Sequence, residues 1–213
     1  MTAGQGSRGR FITLEGGEGA GKSTQARLLA DWLTAQGHDV LLTREPGGAP
    51  GAEAVRSLLV EGAPERWGPM TEVLLHMAAR SEHISRTLWP ALNAGRWVIC
   101  DRFVDSTRAY QGAGQGVDPQ IIDHLHKVVF GNLLPDVTLF LDLPEEQGLN
   151  RARQRGGEDR YDRFGAAFHA RLRRAFRHLA EAEPDRFAVI RADQPVEAVQ
   201  AQIRQVLRDR VCR

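Results

Sequence analysis

The sequence predicts a three-layer α/β domain with a five-stranded parallel sheet flanked by helices. Five short runs rich in β-branched and aromatic residues recur along the chain, at 10–15, 39–45, 97–102, 136–143 and 186–192, with longer amphipathic stretches between them. That alternation implies βαβ units, whose right-handed crossovers place helices on both faces of a parallel sheet. At 213 residues, 42% hydrophobic and 26% charged, the chain suits a single domain, 1–213, able to bury a sizeable core.

The elements follow in order. Residues 1–9 are small and polar and are expected to form a loose N-terminus, without the apolar core that a signal peptide needs. After the first strand, 23–36 carries apolar residues at Ala26, Leu29, Ala30 and Leu33 and ends at Gly37, as a helix does. Residues 71–94 read as a long helix interrupted by Pro90, and further helices are expected over 119–131, 164–183 and 195–210. The one shift in composition is the Arg-rich segment 150–163, whose adjacent Gly156 and Gly157 suit the hinges of a small lid. No run is long enough to span a bilayer, and the net charge of +1 gives no reason to expect a nucleic-acid or membrane-surface partner. A cytoplasmic protein is expected. Cys100 and Cys212 stand far apart, which indicates neither a disulfide framework nor a zinc site, so Cys100 reads as a buried strand residue.

The chemistry begins at Gly16 to Ser23, "GGEGAGKS", which fits G-x-x-x-x-G-K-[ST] directly after a strand and directly before a helix. Glycines let successive N–H groups converge on phosphate oxygens, and the helix N-terminus favours the same charge. Lys22 is placed for the β- and γ-phosphates and the Ser23 hydroxyl for magnesium. Lysine occurs elsewhere only at Lys127, so a chain that otherwise chooses arginine uses a compact ammonium here.

Switch GTPases, motor ATPases and small-molecule kinases share this loop, and the rest of the site must decide among them. A guanine clamp is missing, since none of Asn93, Asn132 and Asn150 is followed by lysine, and "DRFG" at Asp162 lies too late in the chain for a switch. Three short stretches would reach the strand ends: "TREPGG" at 43–48, "AAR" at 78–80 and "CDRF" at 100–103. Each supplies an arginine, Arg44, Arg80 and Arg102, and converging guanidiniums near a phosphate loop suit an acceptor that is itself anionic. Solvated or structural ion pairs are the plainer alternative for each. Asp101 is placed as the strand-end acid that holds a magnesium-bound water.

Together "LEGGEGAGKST", "TREPGG", "AAR", "CDRF", "STRAYQG" and "PDVTLFLDL" resemble the thymidylate kinases, over about 11–193. The resemblance implies a P-loop kinase fold and a magnesium-dependent homodimer that transfers the γ-phosphoryl of ATP to dTMP in dTTP synthesis. Another nucleotide or small-metabolite kinase of this fold, or a non-catalytic ATP-binding switch module, are the rival readings. By the same resemblance, Gly16, Gly17, Glu18, Gly19, Ala20, Gly21, Lys22, Ser23 and Thr24 contact ATP. Arg44, Arg56 and Arg102 approach the dTMP phosphate, and Pro46 offers an apolar edge. Arg80 reads a thymine carbonyl, Ser106, Thr107 and Gln111 lie near the base, and Tyr110 is set against the sugar, where a 2′-hydroxyl would collide. His76 stands where the family usually stacks a phenylalanine on thymine; either its imidazole substitutes, or Met77 and its neighbours share the task. Glu18 matches an acid facing the acceptor, for the 3′-hydroxyl or a metal-bound water, unless it is an exposed carboxylate bonded to an arginine. The phosphate loop lacks an arginine, so the lid-arginine type is the closer match. Arg151, Arg153, Arg155, Arg160 and Arg163 are its candidates, with Arg153 favoured as catalytic beside Lys22, Arg102 and Glu18. Residues 191–195, "RADQP", fall where this fold contacts adenine.

Overall fold

A computed structural model describes residues 8–156 and 160–211. The five expected strands, β1 (Phe11–Glu15), β2 (Val40–Arg44), β3 (Trp97–Asp101), β4 (Val137–Asp142) and β5 (Phe187–Arg191), form one parallel sheet in the order β2-β3-β1-β4-β5. The chain crosses outward from central β1 to both sides, so the strand order reverses there and a crevice opens beyond the carboxyl ends. Around the sheet lie α1 (Lys22–Ala35), α2 (Pro50–Val60), α3 (Pro69–His83), α4 (Trp89–Asn93), α5 (Val104–Thr107), α6 (Pro119–Phe130), α7 (Glu145–Arg155), α8 (Ala166–Ala182) and α9 (Val196–Arg210).

Strand alternation sorts the core. Ile12 and Leu14 of β1, with Leu139 and Leu141 of β4, pack against Leu29 and Leu33 of α1 and Ile203 and Leu207 of α9. On the other face Phe11, Val98 and Cys100 meet Val73 and Met77 of α3 and Ile122 of α6, while Phe140 and Phe187 meet Phe168, Leu172 and Phe176 of α8. Cys100 is fully buried, as the sequence indicates. Two polar residues share this second face, Thr13 and Glu15, and they begin a buried polar layer. The Thr13 and Thr138 hydroxyls lie 3.0 Å apart, and Arg186 donates to Thr138 Oγ1 at 2.8 Å and to Asp105 at 2.6 and 3.0 Å. Burial works against the Asp105 carboxylate, but the Arg186 and Arg108 guanidiniums more than offset it and hold its pKa below the usual range.

Several elements depart from expectation. The segment 71–94 is interrupted before Pro90, by a π-helical turn over Ile84–Leu88 in which the Trp89 N–H reaches the Ile84 carbonyl. Proline has no N–H to continue the ladder, and the wider turn absorbs the break. Helix α2 hides in the sequence behind "PGGAPGAEA", although proline at its first position suits a helix start. Helix α7 takes up the first part of the Arg-rich segment, 150–155, and lacks a broad apolar stripe. Gly9 corrects the expected loose N-terminus over 1–9: it is buried and donates to the Leu92 carbonyl at 2.9 Å. Residues 1–7 of that segment, Gly157 of the glycine pair and Cys212 lie outside the described residues. Among the described residues no helix is long and apolar enough to cross a membrane.

The buried layer predicts an asymmetry in stability. Asp105→Ala removes the fully buried acid shared by Arg186 and Arg108, leaving Arg186 only its pair with the partly exposed Glu183, and should lower unfolding free energy by about 3–5 kcal/mol. Arg86→Ala removes an exposed pair with Glu82 one helical turn away and should cost only about 0.3–0.5 kcal/mol. Denaturant titration of both variants measures the difference; equal losses would refute a structural role for the layer.

Candidate active site

The phosphate loop leaves β1 and enters α1. Gly19 has φ 67°, and a Cβ there would lie 2.0 Å from the carbonyl oxygen of Gly148 on α7; a Cβ on Gly148 would lie 2.3 Å from that of Glu18. The loop and the start of α7 therefore touch backbone to backbone, which only glycine permits on either side. Lys22 is buried and donates from Nζ to the carbonyls of Gly16 at 3.1 Å and Gly17 at 2.7 Å. Burial, and then the nearby Arg102 charge, pull its pKa down to about 8. Ser23 Oγ donates to Asp101 Oδ2 at 2.5 Å, so the helix and the end of β3 bring a hydroxyl and a carboxylate together as expected. These are hard oxygen donors of the kind magnesium takes, in the small number it needs when substrate phosphates supply the rest. Among the described residues no three His, Cys, Asp or Glu side chains cluster as a metal site.

Arg102 follows β3 at φ 74°, the sole non-glycine with positive φ among the described residues. A fully buried acid, Glu15, secures that turn: its Oε1 accepts from the Phe103 N–H at 2.7 Å and its Oε2 from the Ser106 hydroxyl at 2.6 Å. Burial, reinforced by the Asp105 charge, raises the Glu15 pKa to about 8. The Arg102 guanidinium donates to the Gly16 carbonyl at 3.1 Å, to Ser106 Oγ at 3.2 Å and to Glu18 Oε1 at 2.8 Å, and lies 4.9 Å above the Tyr110 ring. The Tyr110 hydroxyl donates to the same Glu18 oxygen at 2.7 Å. Glu18 is thus largely buried, and its carboxylate is clamped between Arg102 and Tyr110. Burial raises its pKa, but Arg102, Lys22 and Tyr110 outweigh that and bring it to about 2.

A cavity of about 380 Å³ joins these groups. Glu18, Gly19, Gly21, Lys22, Ser23 and Thr24 of the loop and the start of α1 line it, as do Asp101, Arg44, Pro46, Arg56, His76, Arg102, Ser106, Tyr110 and Gln111. Arg44 is paired with Glu53 at 3.0 Å, and Arg56 Nη1 donates to the Pro46 carbonyl at 2.8 Å. His76 meets the Tyr161 hydroxyl at 3.1 Å. Burial, then the charges of Arg80 and Arg160, depress its pKa to about 3, so the ring is a neutral imidazole at ordinary pH.

Other expected residues lie elsewhere. Arg80 and Thr107 are almost fully buried and are not part of the cavity wall. Arg80 donates to Glu45 Oε2 at 2.7 Å and to Thr107 Oγ1 at 3.1 Å, while Glu45 also meets His83 Nδ1 at 2.9 Å. Gly16, Gly17 and Ala20 are loop residues outside the cavity wall, the first two through the carbonyls that hold Lys22. Of the lid candidates, Arg153 is exposed on α7, without a hydrogen bond or ion pair among the described residues, and Arg151 donates to the Ala192 carbonyl at 3.3 Å. Arg160 is fully buried, paired with Glu72 at 2.6 Å and donating to the carbonyls of Leu59 and Pro64. It is a structural anchor. Arg163 donates to the Gly62 carbonyl at 3.5 Å. Tyr161 and Asp162 line the cavity, although the sequence marks Asp162 only as a chance switch mimic. Glu15, Glu45 and Glu72 escaped notice; an acid inside an apolar run, as in "FITLE", was the available signal.

The comparisons agree with this geometry. The family model described as Thymidylate kinase matches residues 14–203. A thymidylate kinase of Caulobacter vibrioides is 56% identical over 205 residues, covering 96% of this chain and 99% of that one. One of Ruegeria pomeroyi is 50% identical over 200 residues, covering 93% and 94%. A crystal structure of thymidylate kinase from Ehrlichia chaffeensis superposes with a TM-score of 0.76 at 36% identity, covering 94% of this chain and 99% of that one. With the phosphate loop, the strand-end acid and the cavity arginines in one place, and a match across nearly the whole sequence, the chain belongs to the thymidylate kinase family.

Proposed function

We propose that this chain transfers the γ-phosphoryl group of ATP to dTMP, giving dTDP and ADP for dTTP synthesis. The observation that carries the reading is one cavity lined both by the phosphate loop and by Arg44, Arg56 and Arg102. Two phosphates brought together repel, and guanidiniums that pair bidentately with the acceptor offset that repulsion. A phosphate acceptor is already an oxyanion, so no strong base is needed and positioning carries the rate. Loop amides and Lys22 would hold the donor, and Glu18 and Tyr110 would face the sugar. Arg153 on α7 is the side chain we assign to the transferring phosphoryl when the lid closes. Ser23 and Asp101 would hold magnesium, which when bound neutralises phosphate oxygens. A cytoplasmic location is part of the same proposal, since ATP and dTMP would be met there.

We further propose a homodimer. Met70 and Leu74 on α3 and Ile121 and Val128 on α6 are exposed, Leu74 by 53% and Val128 by 68%, and the two helices are neighbours in the second core cluster. Uncovered apolar stripes on adjacent helices suit a self-complementary interface.

Purified protein should release ADP only when dTMP, ATP and magnesium are all present, with dTMP preferred over dUMP, dCMP, AMP and GMP. Lys22→Ala and Arg102→Ala should each lower the rate on the order of 10³-fold; ATP turnover that is equal without dTMP would defeat the reading. The charged form of Lys22 is the one that binds phosphate. With its pKa lowered to about 8, kcat/KM for ATP, which reads the free enzyme, should hold below that pH and fall about tenfold per unit above it. A profile flat to strongly alkaline pH would count against that role. Leu74→Glu with Val128→Glu should turn a dimer into a monomer by light scattering, and a monomeric unsubstituted protein would end the dimer proposal.

A further inference from the structure

Glu72, in the first turns of α3, is fully buried, and its two oxygens have separate partners. Oε1 faces the Arg160 guanidinium at 2.6 Å. Oε2 accepts from the Tyr161 hydroxyl at 2.9 Å, from Gln111 Nε2 at 2.9 Å and from Gln115 Nε2 at 3.0 Å. Gln111 Nε2 also donates to the Tyr161 hydroxyl at 3.3 Å, which uses both amide hydrogens. Gln111 Oε1 is buried and has no hydrogen bond among the described residues, and Gln111 is one of the residues that line the cavity. An unpartnered buried acceptor is costly, and on a cavity wall it is an acceptor kept for a ligand donor.

Proton counting fixes the rest. The single Tyr161 proton goes to Glu72, so that hydroxyl can only accept from His76, which places the His76 proton on Nε2. Turning the Gln111 amide over would set Oε1 against the Glu72 carboxylate and forfeit both donated bonds.

We infer that Glu72 is a positioning residue that sets the hydrogen-bond polarity of the base pocket, holding Gln111 so that it accepts from an imide N–H and refuses a ring-nitrogen lone pair. Thymine and uracil carry an N–H at N3, whereas cytosine carries a lone pair there. The network thus selects the pyrimidine class through an acid that need not touch the nucleotide. This inference rests on the proposed dTMP kinase activity.

The test compares kcat/KM for dTMP and dCMP in the unsubstituted enzyme, in Glu72→Gln, and in Glu72→Gln with Arg160→Met, which removes both buried charges together. A glutamine at 72 can meet either end of the Gln111 amide, so the dTMP:dCMP preference should fall on the order of 10- to 100-fold, with dCMP turnover rising outright. A merely loosened fold would lower both substrates alike; a preference unchanged within about twofold overturns the inference. Should the unsubstituted enzyme fail to phosphorylate dTMP, it is the activity that fails. A measurement on the unsubstituted protein stands apart from how the variants fold. The side-chain amide protons of Gln111, followed by NMR, should keep their shifts when dTMP is added. A large downfield shift of either would mean that the amide donates to the nucleotide, and the inference would fall.

Discussion

Positive charge must be gathered at this site before any phosphate arrives, and much of the structure follows from how that charge is held. Each buried or cavity-facing cation has an oxygen partner of its own: Arg102 on Glu18, Arg44 on Glu53, Arg80 on Glu45, Arg160 on Glu72, and Lys22 on two loop carbonyls. These partners keep the guanidiniums aimed and prevent a cluster that repels itself. They also set a hierarchy. Arg44, half exposed, can exchange its carboxylate for a phosphate at little cost, whereas Arg80 and Arg160 are sealed and remain part of the scaffold.

The acids divide in the same way. Glu18 is held ionised by its neighbours, while Glu15 sits one strand residue before the loop with its affinity for protons raised by burial. Two carboxyls three residues apart therefore answer oppositely to their surroundings. One is a charged group on the cavity wall, and the other secures the strained turn at Arg102 from behind.

The sheet and the phosphate loop were legible because both are written locally: β-branched runs between amphipathic stretches, and a motif with fixed spacing before a helix. Much of the remaining cavity wall was legible only through resemblance, since Arg56, Ser106 and Tyr110 lie on two separate connections, β2 to β3 and β3 to β4. What stayed hidden were the acids that orient them. Glu72 looks like an ordinary residue at a helix start, and only tertiary structure brings Gln111, Gln115, Tyr161 and Arg160 to it. Arg160 was misplaced for the same reason: an arginine in a charged run reads as solvated until the carbonyls of Leu59 and Pro64 are seen around it.

The contact between Gly19 and Gly148 has a mechanical meaning. The phosphate loop and the first turn of α7 are packed so closely at Gly19 and Gly148 that neither can shift without the other. A displacement of the loop therefore carries the start of α7 with it, as a cam carries its follower, and a methyl group added at Gly148 would push the two apart.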